Sequence, residues 1–264
     1  MGEDISVGKT CRLTEENHLN LLLWKPRAGE AFTISDTSGK LFRARLKELG
    51  KDTSTLCVFE DTGFKKDNIS ITLLQALPEK ERMELIIQKT TELGVGAIVP
   101  FKSKKSISIE EREARQKKSH RWGDIALKAS KQSRREFLPE ILPCRGFKEA
   151  LDIAKDAGLK IMLFEGGGLI SLKEFLKGKK TDNAALLVGP EGGFEKEEVD
   201  YAVKRGFIAV TLGRNILRTE TAAIIGVGIA GYEMVGLKKQ PLPLLGKMRS
   251  IINHICLKKL FLHF

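Results

Sequence analysis

Cysteine is scarce in this chain. Its 264 residues hold four, Cys11, Cys57, Cys144 and Cys256, scattered and with no pair at metal-ligand spacing. Reduced thiols and no metal are the expectation. Histidine is equally sparse, and only His18 falls near a motif, where it reads as a residue of a small β domain. No apolar run approaches the ~20 residues that a membrane helix needs, so no membrane partner is expected. Met1-Gly2-Glu3-Asp4 has neither a basic start nor an apolar stretch, which argues against a secretory leader and for a cytoplasmic protein. Three glycines, Gly166 to Gly168, follow an apolar run, yet no Gly-Lys-Ser/Thr comes after them. A nucleoside triphosphate loop is therefore not indicated.

What the chain does have is positive charge, +11 in net. The excess is unevenly placed. Residues 1–70 balance at 11 basic and 11 acidic groups, whereas Lys102 to Arg135 holds 12 basic against 4 acidic. Residues 236–264 add six basic groups and no acidic one. Such clusters bind phosphate backbones through counterion release, although a solvated helix face gives the same pattern.

The length suits one large or two small domains. Up to residue 70, short apolar runs alternate with turn signals such as Asp36-Thr-Ser-Gly39 and Asp61-Thr-Gly63, the spacing of a small antiparallel barrel. From residue 71 to 235 the pattern alternates strands and helices. Ile69–Ala76 reads as a strand. Pro78 opens a helix with Met83, Ile86, Ile87, Thr90 and Leu93 as its buried stripe, closed by Gly94. Ala97–Phe101 is a strand, and a basic helix is expected over 110–135. A helix over 147–157, a strand over 159–164 and a helix over 195–205 follow. The last helix starts near Thr219, a good N-cap, and runs to Glu233. Its Gly226, Gly228 and Gly231 suit close backbone packing. Beyond residue 236 comes a basic tail.

The chain is organised around Ala184 to Ala223. Ala184–Val188 is an apolar run that stops at Gly189-Pro190-Glu191-Gly192-Gly193. Ala209–Leu212 is another, followed by Gly213 and then Ile216-Leu217-Arg218-Thr219-Glu220-Thr221-Ala222. Buried strands that end in glycine-bearing loops are where α/β proteins place ligands. Glycine there lets the backbone approach a ligand closely.

These two blocks together resemble the SPOUT class of RNA methyltransferases. Within it they are similar to the bacterial 16S ribosomal RNA uridine-N3 methyltransferases of the RsmE type. The resemblance extends through Glu79–Phe101, Ala126–Pro139 and, more weakly, Asn17-His18-Leu19. It implies an α/β domain with a parallel sheet and a trefoil knot, preceded by a PUA-like RNA-binding β-barrel. It also implies a homodimer whose partner helps complete the site, with 16S ribosomal RNA or the small subunit as substrate. The cofactor it implies is S-adenosylmethionine. Leu163, Phe164 and Gly166 would line the donor pocket from one strand end. Val188, Gly189, Pro190, Glu191 and Gly192 would line it from the second. Leu212, Gly213, Ile216, Leu217, Thr219 and Ala222 would complete it. Lys102, Lys104 and Lys105 would meet RNA. Ala129 to Arg134 resembles the family's Glu-Gln-Ser-Gly-Arg element, with Lys131 at the acid, Arg135 at the glycine and Arg134 carried over as an RNA or target-base contact. Trp24-Lys25 stands where the family has an arginine, and Trp24 is either a base platform or a core residue.

Methylating uridine N3 requires alignment of donor and base, loss of a proton, and stabilisation of charge on the base. Arg218 suits the charge, with Arg134 as a second candidate. Glu191 or Glu220 is either a base or a brace for its loop, so the sequence leaves the general base open. The alternative function is a non-catalytic RNA-binding relative.

Overall fold

A computed structural model describes residues 5–66, 69–78, 82–106, 121–165, 169–179 and 181–235. The basic tail, Gly166 and all of 107–120 lie outside these residues, as does the opening of the helix expected at Pro78.

The chain first builds an antiparallel sheet from β1 (Thr10–Thr14), β2 (Ala31–Ser35), β3 (Lys40–Leu49) and β4 (Thr53–Lys65). The strands lie in the order β1-β4-β3-β2. Alternation along β3 and β4 sends Phe42, Ala44, Leu46, Leu56 and Val58 to one face, where they bury with Leu13, Phe32 and Ile34. Register shifts between β3 and β4 at Lys40/Phe42, Arg43/Ala44 and Leu46/Glu48 bend this sheet. A helix that the sequence pattern did not reveal, α1 (Glu15–Leu23), connects β1 to β2. It carries His18, which is buried between Ser54 Oγ at 2.7 Å and the Lys51 carbonyl at 3.0 Å. Trp24 stands edge-on to Phe32 with centroids 6.2 Å apart and packs on the same core, which favours the core reading over a base platform.

The second sheet is parallel throughout. It comprises β5 (Ser70–Ala76), β6 (Ala97–Lys102), β7 (Glu140–Ile141), β8 (Arg145–Gly146), β9 (Leu159–Leu163), β10 (Asn183–Val188) and β11 (Ile208–Val210). Their order is β11-β9-β10-β5-β6-β7, and β8 also pairs with β6. On one face lie α2 (Arg82–Glu92), α3 (Trp122–Gln132), α5 (Leu172–Leu176) and α7 (Thr219–Val235), over Ile71, Leu73, Ile161 and Leu186. On the other lie α4 (Phe147–Ile153) and α6 (Lys196–Lys204), over Leu74, Val99, Met162 and Leu187. Strands covered on both faces need apolar side chains at every position, which is why Ala184–Val188 shows no alternation.

Several boundaries differ from the sequence reading. Within α2, Met83, Ile86, Ile87 and Thr90 are buried as expected, but Leu93 is 43 % exposed. The helix ends at Glu92, and Gly94 turns the chain at φ +96. Helix α3 stops at Gln132 rather than Arg135, because the Ser133 hydroxyl bonds back to the Ala129 carbonyl at 2.7 Å and Arg134 enters the left-handed region at φ +57. Helix α4 ends four residues early, at Ile153. Thr219 is the first residue of α7 and not its cap: the Arg218 carbonyl accepts the first helical bond, from Ala222 N–H at 2.8 Å. One α7 glycine has a cause inside this chain. A Cβ on Gly226 would lie 2.8 Å from Leu163 Cδ1 and 2.9 Å from Leu186 Cδ2, so the helix sits directly on β9 and β10.

Candidate functional site

The loops that leave β9, β10 and β11 at their carboxyl ends surround a cleft of ≈ 980 Å³. This is the edge where parallel sheets bind ligands. Leu163 and Phe164 form one wall, Val188 to Gly193 a second, and Leu212 to Thr219 with Ala222 the third. The lining is mixed: aliphatic side chains from Leu163, Leu212 and Leu217 alternate with exposed loop backbone. Every donor-pocket residue expected from sequence lines the cleft except Gly166, which lies outside the described residues.

Local bonds hold the loops open. Gly193 takes φ +70 and closes a tight turn through its N–H to the Pro190 carbonyl at 2.9 Å. Gly213 takes φ +132, and the Thr211 hydroxyl bridges its backbone, accepting from Gly213 N–H at 3.1 Å and donating to Gly213 O at 2.8 Å. Thr219 joins two walls. Its buried hydroxyl donates to the Gly189 carbonyl at 2.6 Å and accepts from Gln75 Nε2 at 3.0 Å. A residue placed as a helix cap from sequence thus serves as a crosslink.

Arg218 lines the cleft with its side chain exposed. Glu220 sits behind the lining, 9 % exposed, with Oε2 3.8 Å from Arg82 Nε. Arg82, which the sequence did not single out, also lines the cleft and pairs with Glu191 Oε1 at 2.7 Å. An arginine directly after the acidic Pro78-Glu79-Lys80-Glu81 start was the available signal, and it was too common to stand out. Both glutamates are engaged by one guanidinium, which favours the bracing role for them.

The basic loop after β6 lies beside the same site. Lys105 packs its Cβ and Cδ against Gly192, and its Nζ is 3.2 Å from Glu195 Oε1. Lys104 pairs with Glu197 at 3.1 Å, which raises the lysine pKa and lowers that of the glutamate. Glu198 anchors the loop from within, accepting from Ser103 Oγ, Lys104 N–H and Glu195 N–H at 3.0–3.1 Å. Lys102 is exposed at the end of β6.

Arg134 is not brought to the cleft within one chain. Its carbonyl accepts from Thr33 Oγ1 of the antiparallel sheet at 2.7 Å, and its charge lies near Arg43, whose pKa is lowered by burial first and by Arg134 second. The positive φ at Arg134 also corrects the register of the Glu-Gln-Ser-Gly-Arg likeness. Left-handed backbone is the glycine's position, so the element reads Lys131-Gln132-Ser133-Arg134-Arg135, with Arg135 in the arginine's place. Arg135 is buried and donates to the Thr91 and Val95 carbonyls at 2.8 Å each, with Phe137 4.3 Å from its guanidinium. Burial lowers its pKa to about 10, so it stays charged at neutral pH. Lys131, in the acid's place, pairs with Glu30 at 2.8 Å and ties α3 to the antiparallel sheet. Among the described residues no group of three or more His, Cys, Asp or Glu could hold a metal ion. No described helix is long and apolar enough to cross a membrane.

Known proteins share this arrangement. The RNA methyltransferase domain family matches residues 65–231. The ribosomal RNA small subunit methyltransferase E of Bacillus subtilis (strain 168) is 28 % identical over 239 residues, which cover 88 % of this chain and 93 % of that one. Its counterpart from Aquifex aeolicus (strain VF5) is 32 % identical over 199 residues, covering 72 % of this chain and 81 % of that one. The crystal structure of a ribosomal RNA small subunit methyltransferase E from Neisseria gonorrhoeae bound to S-adenosyl methionine superposes with a TM-score of 0.60 at 34 % identity, covering 86 % of this chain and 93 % of that one. The chain belongs to the ribosomal RNA small subunit methyltransferase E family, S-adenosylmethionine-dependent enzymes of the RNA methyltransferases.

Proposed function

We propose that this chain transfers a methyl group from S-adenosylmethionine to N3 of a uridine in 16S ribosomal RNA, in the cytoplasm. The observation that carries the reading is the cleft itself. Two glycine-bearing loops present backbone donors and acceptors around an apolar floor, which fits a nucleoside carrying an amino acid. Leu212, Leu217 and Leu163 suit the adenine ring, and backbone at Gly189–Gly193 and Gly213 suits the polar groups. Bound there, the donor supplies an electrophilic methyl on a sulfonium.

The protein's own part is alignment and charge. Arg218 is exposed at the cleft, always cationic, and carries five N–H donors. It stabilises the negative charge that develops on the base when N3 loses its proton. Glu191 and Glu220 brace the walls. The antiparallel sheet is the RNA-binding domain of residues 1–70, docked on the methyltransferase domain of 71–235. Lys102, Lys104, Lys105 and Arg134 contact RNA phosphates, and RNA competes with Glu195 and Glu197 for the two paired lysines.

Two further properties follow the family. The segment after β11 is held between the loops that follow β9 and β10, by Thr211 N–H to Ile170 O at 3.0 Å and by Thr219 to Gly189. That path supports a trefoil knot. Helix α7 is apolar on all sides, yet Tyr232 is 64 % exposed and Ile225 is 43 % exposed. A helix of that kind is normally buried all round, which supports a homodimer on this face. Calorimetric titration of the purified chain with S-adenosylmethionine tests the reading. One donor site per chain is expected, and no heat of binding at millimolar donor overturns it.

A further inference from the structure

We propose that Arg82 is a positioning residue that clamps two walls of the donor cleft together and thereby sets donor affinity. The inference rests on the reading of the cleft as the donor site. The residues come from three separate parts of the chain: Arg82 from the start of α2, Glu191 from the loop after β10, and Glu220 from the first turn of α7. Arg82 Nη1 makes a charge-assisted hydrogen bond to Glu191 Oε1 at 2.7 Å. Its Nε faces Glu220 Oε2 at 3.8 Å, an ion pair beyond hydrogen-bond reach. Glu220 Oε2 is buried and accepts no hydrogen bond among the described residues. A buried carboxylate without a nearby cation is costly, so Glu220 depends on Arg82.

The geometry gives the pair a use beyond local stability. Glu191 is the central residue of the Gly189–Gly193 loop, flanked by glycines at 189, 192 and 193. Gly193 N–H to Pro190 O fixes its turn, and the Thr219 hydroxyl fixes Gly189. Among the described residues, the Arg82–Glu191 bond is a further tether, at the loop's lip. The side chains of Arg82 and Glu191 are 30 % and 29 % exposed, so solvent screens the pair only in part. Ordering this lip before the donor arrives lowers the entropy cost of binding.

The test is donor binding by calorimetry for the wild-type chain, Arg82→Gln, Arg82→Lys, Glu191→Gln and the Arg82→Gln/Glu191→Gln double variant, with thermal melting of each without donor. A charge-assisted bond of this exposure corresponds to about a tenfold loss of donor affinity in Arg82→Gln. Arg82→Lys should recover part of it, since an ammonium can still meet Glu191 but lacks the fork that reaches Glu220. The double variant should bind no more weakly than the worse single variant, because both remove one tether. If wild type binds donor and Arg82→Gln binds it equally well, the clamp is wrong while the cleft stands. Additive losses in the double variant also overturn it. If wild type itself fails to bind, the reading of the cleft falls. Should Arg82→Gln not fold, Arg82→Lys and Glu191→Gln carry the test, and donor affinity within about twofold of wild type in both refutes the clamp.

Discussion

Replacing Thr219 with valine removes one hydroxyl and keeps the shape of the side chain. In the native structure that hydroxyl is a donor to the Gly189 carbonyl at 2.6 Å and an acceptor from Gln75 Nε2 at 3.0 Å. Thr219 is 5 % exposed and Gln75 is fully buried. Water therefore cannot replace the lost partner at Gln75 without opening the helix from the sheet. Gln75 Nε2 keeps its bond to the Ala76 carbonyl at 2.9 Å, so only one of its two hydrogens is stranded. The half-buried Gly189 carbonyl loses its tether. Stranding buried polar groups costs about 1–3 kcal/mol, and we expect about 2 kcal/mol here. In a domain of this size that lowers the melting temperature by about 4–8 °C. Thr219→Ser keeps the hydroxyl and loses a methyl, about 0.8 kcal/mol of burial at most. Urea denaturation of both variants, beside calorimetric donor binding, reads the result. The valine variant should lose stability and donor affinity together, because the same bond holds the helix and the loop. A valine variant within about 0.5 kcal/mol of wild type would refute the crosslink.

Other outcomes follow from the same geometry. Arg218→Ala should lower single-turnover methylation by roughly 10²–10³, with donor affinity little changed, if it stabilises charge on the base as proposed; normal turnover would end that assignment. Arg134→Gly should keep or slightly raise stability by relieving left-handed strain of about 1 kcal/mol, while weakening RNA binding in a filter or fluorescence assay. Arg135→Ala should do the reverse, costing about 2–4 kcal/mol in urea because the Thr91 and Val95 carbonyls lose their buried donor. Equal behaviour of the two variants would contradict the register given to them. Tyr232→Glu should shift sedimentation at micromolar concentration from dimer to monomer; a wild-type chain that is already monomeric would remove α7 as a dimer face.

The cleft was legible in the sequence because each of its walls is made locally. A strand that must be apolar on both faces, then a glycine turn, can be read from consecutive residues such as Ala184 to Gly193. Arg82 was not legible because its meaning lies in contacts 109 and 138 positions away, with Glu191 and Glu220. Thr219 misled for a related reason. A threonine before a helix satisfies the capping rule, and only the fold shows that Gly189 and Gln75 claim its hydroxyl. The register around Arg134 was hard to read, since arginine at a left-handed position breaks the expectation that glycine marks such a turn. Helix α1 escaped because Leu19, Leu22 and Leu23 are exposed, which leaves no clean apolar stripe to read.

Nucleoside mass spectrometry reads methyl transfer to uridine N3 directly. Small ribosomal subunit RNA lacking the modification is incubated with the purified chain and S-adenosylmethionine bearing a deuterated methyl group, then digested to nucleosides. Deuterated N3-methyluridine is expected, at a rate lower by roughly 10²–10³ when Arg218→Ala replaces the wild-type chain. Label on another base, on another atom of uridine, or on none would contradict it.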